Sequence, residues 1–499
     1  MSKGAARGRS QGGGLGREAD GLSEPEPLPG REVELGKLAA LLAGAGPAVV
    51  TITGPRGRGK TALLQRALRG SESLHFQGAP LTEGDLLADL EELARAQLGE
   101  APVPRRPGVL PTGTTKAGWL SLLMGLRDRV EDSGKPFTLA LDGMETLLSS
   151  HRRLVQELSD LVQGVRNHGI PLRVVLCARA KGTLEPLTGT RGTLGPADLE
   201  LELPPLPYRV AGWGHGARDP RDAFLRWAIL GDHPAHLRPG GPRQDLGELV
   251  VRRVLEPQGD LHDEPLRRLE ATFQRPARYA SVLRALAAGP LDWSGILARA
   301  SGVESGSQLA PYLGKLEEEG LVRVDLPLDA APGSRSRRYA LSDPFLGFWF
   351  GSVLPHRSLI ASEGAPAVWR DRIFPNLGRH LQGWMEEAAR RWLADHAEAD
   401  FGVPAREVGA LWGSEADFPV AGRLSNGQVC YGLVDWEMRF EELPREMNLR
   451  MAETRYGIGR QARAALFFLA GEGSEELRRT LAREPLARVV DLAQLMGSG

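Results

Sequence analysis

Apolar positions along the chain change their period several times, and each change marks a predicted element. Within LPGREVELGKLAALLAG, from Leu28, apolar residues fall at Val33, Leu35, Leu38, Leu41 and Leu42, the spacing of a helix. PAVVTIT then predicts a short β-branched strand that runs into a glycine-rich loop and a helical stretch, ALLQRALRG. Helical periodicity returns over Leu86 to Leu98 and Gly118 to Val130. FTLALD follows as a strand, Val155, Leu158 and Leu161 mark a helix, and LRVVLCAR reads as another strand. Strands alternating with helices of this length predict a parallel sheet covered on both faces.

After the proline-rich LELPPLPYR the pattern is helical, clearest in FLRWAILGDHP and LGELVVRRVL. From Tyr279 to Leu326 it runs helix, turn, helix, turn, helix and strand, and SRSRRYALSD supplies a wing, so a winged helix is expected. From about residue 380, LQGWMEEAARRWLADH predicts a helix, followed by short strands around Val408, Val420, Val429 to Val434 and Ala464 to Leu469. Residues 1–27 are rich in Gly, Arg and Pro without apolar period and are expected to be a disordered tail, because they bury too little surface to offset their ordering entropy.

A length of 499 residues suggests about three domains at roughly 150 residues each. The 62 Lys and Arg against 63 Asp and Glu exclude the global positive field of a nucleic-acid coat protein, so any nucleic-acid site must be local. Cys177 and Cys430 lie in separate strand-like runs and read as buried thiols, not as a disulfide framework or a zinc site. No apolar run approaches the roughly 20 residues of a membrane span, and the start lacks the apolar stretch of a secretory signal. A cytoplasmic protein without a membrane partner is the expectation.

The strongest chemical signal is GPRGRGKT between strand and helix: Gly54, Pro55, Arg56, Gly57, Arg58, Gly59, Lys60 and Thr61, with Ala62 continuing the helix. Such a loop turns successive N–H groups around a phosphate at the positive end of a helix. Lys60, expected at an exposed loop edge, would reach the β- and γ-phosphates, and the Thr61 hydroxyl would ligate Mg²⁺. Asp142, ending FTLALD, is the second metal ligand expected of such a site. Gly143 follows it, so the next acid is Glu145, which either polarises the attacking water or caps its own helix. Arg179 ends the next strand, at the sheet edge where ligands sit, unless it is only an exposed loop arginine. Asp142, Glu145 and Arg179 are the catalytic candidates, and ATP with Mg²⁺ is the expected cofactor pair.

From PGREVEL to near its C-terminus the chain resembles the prokaryotic and archaeal-type ATPases of the STAND class of P-loop NTPases. The resemblance rests on Gly30, Arg31, Glu32, Glu34 and Leu35 ahead of the loop, on Gly54 to Thr61, on Asp142, Gly143 and Glu145, and on Arg179 as a sensor arginine. It includes LGDHP, where it implies that Gly231 and Pro234 approach the adenine, and SDPFLGFWF after the wing. The implied architecture is an α/β P-loop ATPase domain over 28–204, a helical module over 205–265, a winged helix over 266–345, a helical connector over 346–400 and a small nuclease-like α/β domain over 401–499. The implied function is ATP binding and hydrolysis that switches the domain arrangement. A non-hydrolysing scaffold associated with nucleic acid and an ATP-controlled nuclease are the alternatives.

Relatives of this kind carry a PD-(D/E)XK-like C-terminal domain, in which acids on adjacent strands hold the metal. Asp417 takes the first position and Glu386 the accessory one. VCYGLVDWEMR departs from the pattern, with Leu433 where the metal-binding Glu belongs and Asp435 where the Lys belongs. A slipped register, Asp435 and Glu437, would restore a carboxylate cluster; without it the domain is inactive as a nuclease. The third helix of the winged region opposes Lys315 with Glu317, Glu318 and Glu319 and is a poor DNA reader. Arg335, Arg337 and Arg338 of the wing offer a DNA or protein contact, whereas Phe345, Phe348, Trp349 and Phe350 have the spacing of an interdomain core.

Overall fold

Five short strands lie side by side in parallel near the start of the chain: β1 (Ala48–Thr53), β2 (Ser73–Gln77), β3 (Phe137–Asp142), β4 (Leu172–Ala178) and β5 (Leu199–Glu202). Their order is β2-β3-β4-β1-β5. This computed structural model describes residues 28–99, 118–237, 244–328, 330–331, 334–413, 417–436, 443–445, 447, 463–470, 474–481 and 487–497. The tail expected over 1–27 lies outside them, as does Glu437. β3 and β4 are buried along their whole length, which is why they read as unbroken apolar runs. One face of the sheet packs Val50, Ile52 and Val175 against Leu38, Leu63 and Leu64. The other packs Leu139, Val174 and Leu176 against Leu122, Leu126 and Leu158.

From Leu206 onward a separate apolar core begins. It joins Phe224 and Trp227 of the helix Pro220–Leu230 to Val282, Leu309 and Leu316, to the fully buried Phe345, Phe348, Trp349 and Phe350, to Met385 and Trp392, and to Phe468. The segments assigned from sequence to a helical module, a winged region and a connector thus share one core, which extends onto one face of the last sheet. In the middle segment the helices Pro276–Leu286, Trp293–Arg299 and Gly306–Glu318 precede an antiparallel pair, β6 (Val322–Asp325) and β7 (Arg338–Leu341), and Leu291 bridges to Tyr339 beside it.

The last sheet contains β8 (Ala405–Leu411), β9 (Phe418–Leu424), β10 (Val429–Asp435), β11 (Arg463–Leu469) and β12 (Ala487–Asp491), in the order β12-β11-β10-β9-β8. Pairing is antiparallel from β8 to β10 and parallel from β10 to β12. The long helix Gly378–Phe401 crosses β8, β9 and β10. The short helix Leu492–Met496 returns to the helical module: the Tyr208 hydroxyl and Arg209 Nε both donate to Leu495 O at 2.8 Å, and Trp213 Nε1 donates to Met496 O at 3.2 Å. The fold is therefore mixed α/β, a P-loop-type parallel sheet followed by a mainly helical body that carries a second sheet. Among the described residues no helix is long and apolar enough to cross a membrane. Cys177 and Cys430 are free and buried.

Candidate nucleotide site

The carboxyl ends of β1, β3 and β4 set out the site. Ile52, Cys177 and Asp142 share one register across them, so Asp142 stands level with the end of the strand that feeds the loop. Gly54 to Gly59 form the loop and the next helix starts at Lys60. Lys60 is not at an exposed edge: only 9 % of it is accessible, because its ammonium curls back to donate to Gly54 O at 2.5 Å and Pro55 O at 3.1 Å. Burial pushes its pKa down, partly offset by the charge of Asp142. The Thr61 hydroxyl donates to Asp142 Oδ2 at 2.5 Å, and His75 Nε2 lies 3.8 Å from the same oxygen. Burial alone would raise the Asp142 pKa, but the contacts with His75 and Thr61 outweigh it and hold the carboxyl below its ordinary value. An ionised carboxylate beside a hydroxyl is a hard-oxygen pair of the type Mg²⁺ takes.

Glu145 does not cap its helix. Its Oε1 accepts the backbone N–H of Arg179 instead, tying the end of β4 to the helix after β3. Arg179 Nη1 reaches Glu319 Oε1, at 3.4 Å, in the turn that closes the helix Gly306–Glu318. In that turn Gly320 has φ +65° and lies so close to the loop that a Cβ there would come within 2.6 Å of Pro55 Cγ. Behind the loop the buried Arg31 donates to Arg58 O at 3.2 Å and Pro204 O at 2.5 Å, which gives the element before β1 a structural role.

Arg58, expected to contact the nucleotide, has its side chain engaged within the protein. The guanidinium pairs with Asp232 Oδ1 at 3.0 Å, with both side chains buried. Burial first, then the nearby Asp343, pushes Asp232 up to about 6, against the pull of Arg58. Arg56 and Ala62 are exposed. Pro234 does approach the loop: a Cβ added at Gly59 would lie 3.7 Å from its Cγ. Gly231 does not, since it faces Asp343 and Phe345. Sequence reasoning missed His75, Asp232, His233 and Glu319. The GDHP turn was the one available pointer, to two of them.

At the ends of β1 and β3, then, the Thr61 hydroxyl is bonded to Asp142, and the Lys60 ammonium folds over the loop beside them. Residues 27–175 match the AAA ATPase domain family. No curated protein matches the sequence. Among solved structures, the chain is similar to a Walker-type ATPase of Pyrococcus abyssi at 19 % identity, covering 64 % of this chain and 95 % of that one, with a TM-score of 0.46. It is similar to the ORC2 protein of Aeropyrum pernix, described in complexes with ADPNP and ADP, at 17 % identity, covering 69 % and 98 %, with a TM-score of 0.41. A third, the ORC1 protein of the same organism in complex with DNA, has 19 % identity, coverages of 71 % and 95 % and a TM-score of 0.30.

Away from the AAA domain, Glu386, Asp417, Leu433 and Asp435 all line one cavity of about 1460 Å³, between the β6–β7 pair, the long helix and the last sheet. No group of three His, Cys, Asp or Glu among the described residues is placed to hold a metal ion. Arg338 is packed over the Trp412 ring, 4.7 Å from its centroid, while Arg335 and Arg337 remain exposed. Glu387 receives Arg323 of β6 at 3.0 Å and Arg390 and Arg391 of its own helix, each at 2.9 Å. Burial opposes its ionisation, but the three guanidinium groups hold it well below the usual carboxylate range.

Proposed function

We propose that the chain is an ATP-hydrolysing switch, in which ATP with Mg²⁺ occupies the phosphate loop and the nucleotide state sets how the body from residue 205 onward seats on the AAA domain. The observation that carries this is the bond from Arg179 to Glu319. The two bodies keep separate apolar cores, and this pair joins them beside the loop. A γ-phosphate brings more negative charge to Arg179 than Glu319 does, so ATP competes for the arginine and ADP does not. A ligand shifts an equilibrium only through such differential affinity.

In this reading Lys60 holds the β- and γ-phosphates, Thr61 and Asp142 hold the metal, and Glu145 orients water with the oxygen that Arg179 leaves free. The middle segment serves as a winged helix whose acidic third helix seals the loop, with Arg335 and Arg337 left for a DNA or protein partner. The last sheet is a nuclease-like fold retained for binding, without cleavage.

Small-angle scattering of the apo, ADP-bound and non-hydrolysable-ATP-bound protein tests the switch. The triphosphate form should differ from the other two, and Arg179→Ala should abolish the difference. Identical profiles in all three wild-type states would mean a static scaffold.

A further inference from the structure

One ring on the phosphate loop is accounted for neither by the loop motif nor by its acidic partners. His233 lies in the turn between the helix Pro220–Leu230 and the helical turn Pro234–His236. A Cβ placed on Gly57, where φ is +85°, would come within 1.7 Å of His233 Nε2, so the imidazole rests directly on the backbone of the loop. Its other nitrogen, Nδ1, accepts the N–H of Ala235 at 3.3 Å. In a neutral imidazole that bond leaves the proton on Nε2. Burial, reinforced by the positive groups around the ring, keeps it neutral by pushing its pKa down to about 2. Nε2 has no hydrogen-bond partner among the described residues. The result is an N–H donor without a partner among the described residues, held against Gly57 of the phosphate loop.

The ring is also fixed before any ligand arrives. It stacks on His236 with centroids 4.7 Å apart, and His236 is itself bonded to Leu230 O at 3.1 Å. Asp232, one residue earlier, is pinned to Arg58 of the loop. A donor held this way loses little rotamer freedom on binding. Its place along the loop is specific too. Gly320 packs at Pro55, the end that Glu319 and Arg179 attend, whereas His233 sits at Gly57 with Pro234 beside Gly59.

We propose that His233 is a nucleotide-binding residue whose Nε2–H donates to a phosphate oxygen common to ATP and ADP. The inference rests on the reading of the loop as an ATP site. It assigns Arg179 to the terminal phosphate and His233 to the part of the ligand that stays after hydrolysis.

Two substitutions separate donation from packing: His233→Phe keeps a ring and removes the donor, and His233→Gln keeps a donor near the Nε2 position and removes the ring. Calorimetric titration of the full chain with ATP, ADP and adenosine reads the effect. His233→Phe should weaken ATP and ADP by the same factor, about ten- to a hundredfold, the scale of a hydrogen bond to a charged acceptor. His233→Gln should recover most of that, and adenosine binding should not respond to either change. Unchanged or tighter ATP binding by His233→Phe would overturn the proposal, as would a loss in His233→Gln with His233→Phe intact. Failure of the underlying reading shows differently: wild type would not bind ATP, or Lys60→Ala would bind it as wild type does.

Discussion

One oxygen of Glu145 holds the backbone N–H of Arg179, and the proposed function assigns the other to water. Glu145→Gln keeps an oxygen acceptor for that N–H and removes the base. Turnover should therefore fall by about a hundredfold or more while ATP affinity holds, as phosphate release and equilibrium binding will measure. Wild-type turnover in the variant would leave Glu145 as the residue that positions Arg179 and no more. At this scale the motif was legible and its second neighbours were not. The strand, loop and helix around Lys60 and Thr61 lie where the motif places them, because they are dictated by local sequence, and Thr61 meets Asp142. A motif position carries no sign of where the Arg58 side chain goes. Its direction is set by Asp232, 174 residues away.

Among the elements, legibility followed burial. β1, β3 and β4 were found because both of their faces are covered, so their sequences are apolar throughout. β2, with SLHFQ, and β5, with LELE, are edges of the same sheet; they alternate with polar residues and were missed, as was β12 at the edge of the last sheet. The acidic turn after Lys315 reads from sequence as hostile to DNA, and its Glu319 faces Arg179 after β4, a contact that only the tertiary fold creates. In the last sheet, Leu433 of β10 lines the cavity, and leucine offers no ligand at the position where the nuclease resemblance would call for a metal-binding acid. Supercoiled plasmid incubated with the protein and Mg²⁺ or Mn²⁺, with or without ATP, should stay intact. Cleavage lost in Asp417→Ala would make the chain an ATP-linked nuclease.

For the molecule as a whole, buried histidines set the response to acid. His215 Nε2 donates to Gly231 O at 3.0 Å and His380 Nε2 to Ala228 O at 2.6 Å; burial pushes them down to about 3 and about 4. The unfolded chain takes up these protons near pH 6.5 and the folded one does not, so their contribution is complete above that pH. It is lost as the pH falls toward 4, by at most about 1.4 kcal/mol per pH unit for each. Asp232, raised to about 6, acts in the opposite sense, since its folded form takes up a proton before the unfolded one does. The two histidines outnumber it, and urea unfolding should give a lower stability at pH 5 than at pH 7.5; a higher one would mean that Asp232 dominates. A different consequence follows from Leu495, whose carbonyl is gripped by Tyr208 across 287 positions of sequence. That clasp returns the last sheet to the first helices after the AAA domain, so everything between them is enclosed in a ring fastened at both ends. A cut inside the ring would leave its two pieces holding each other.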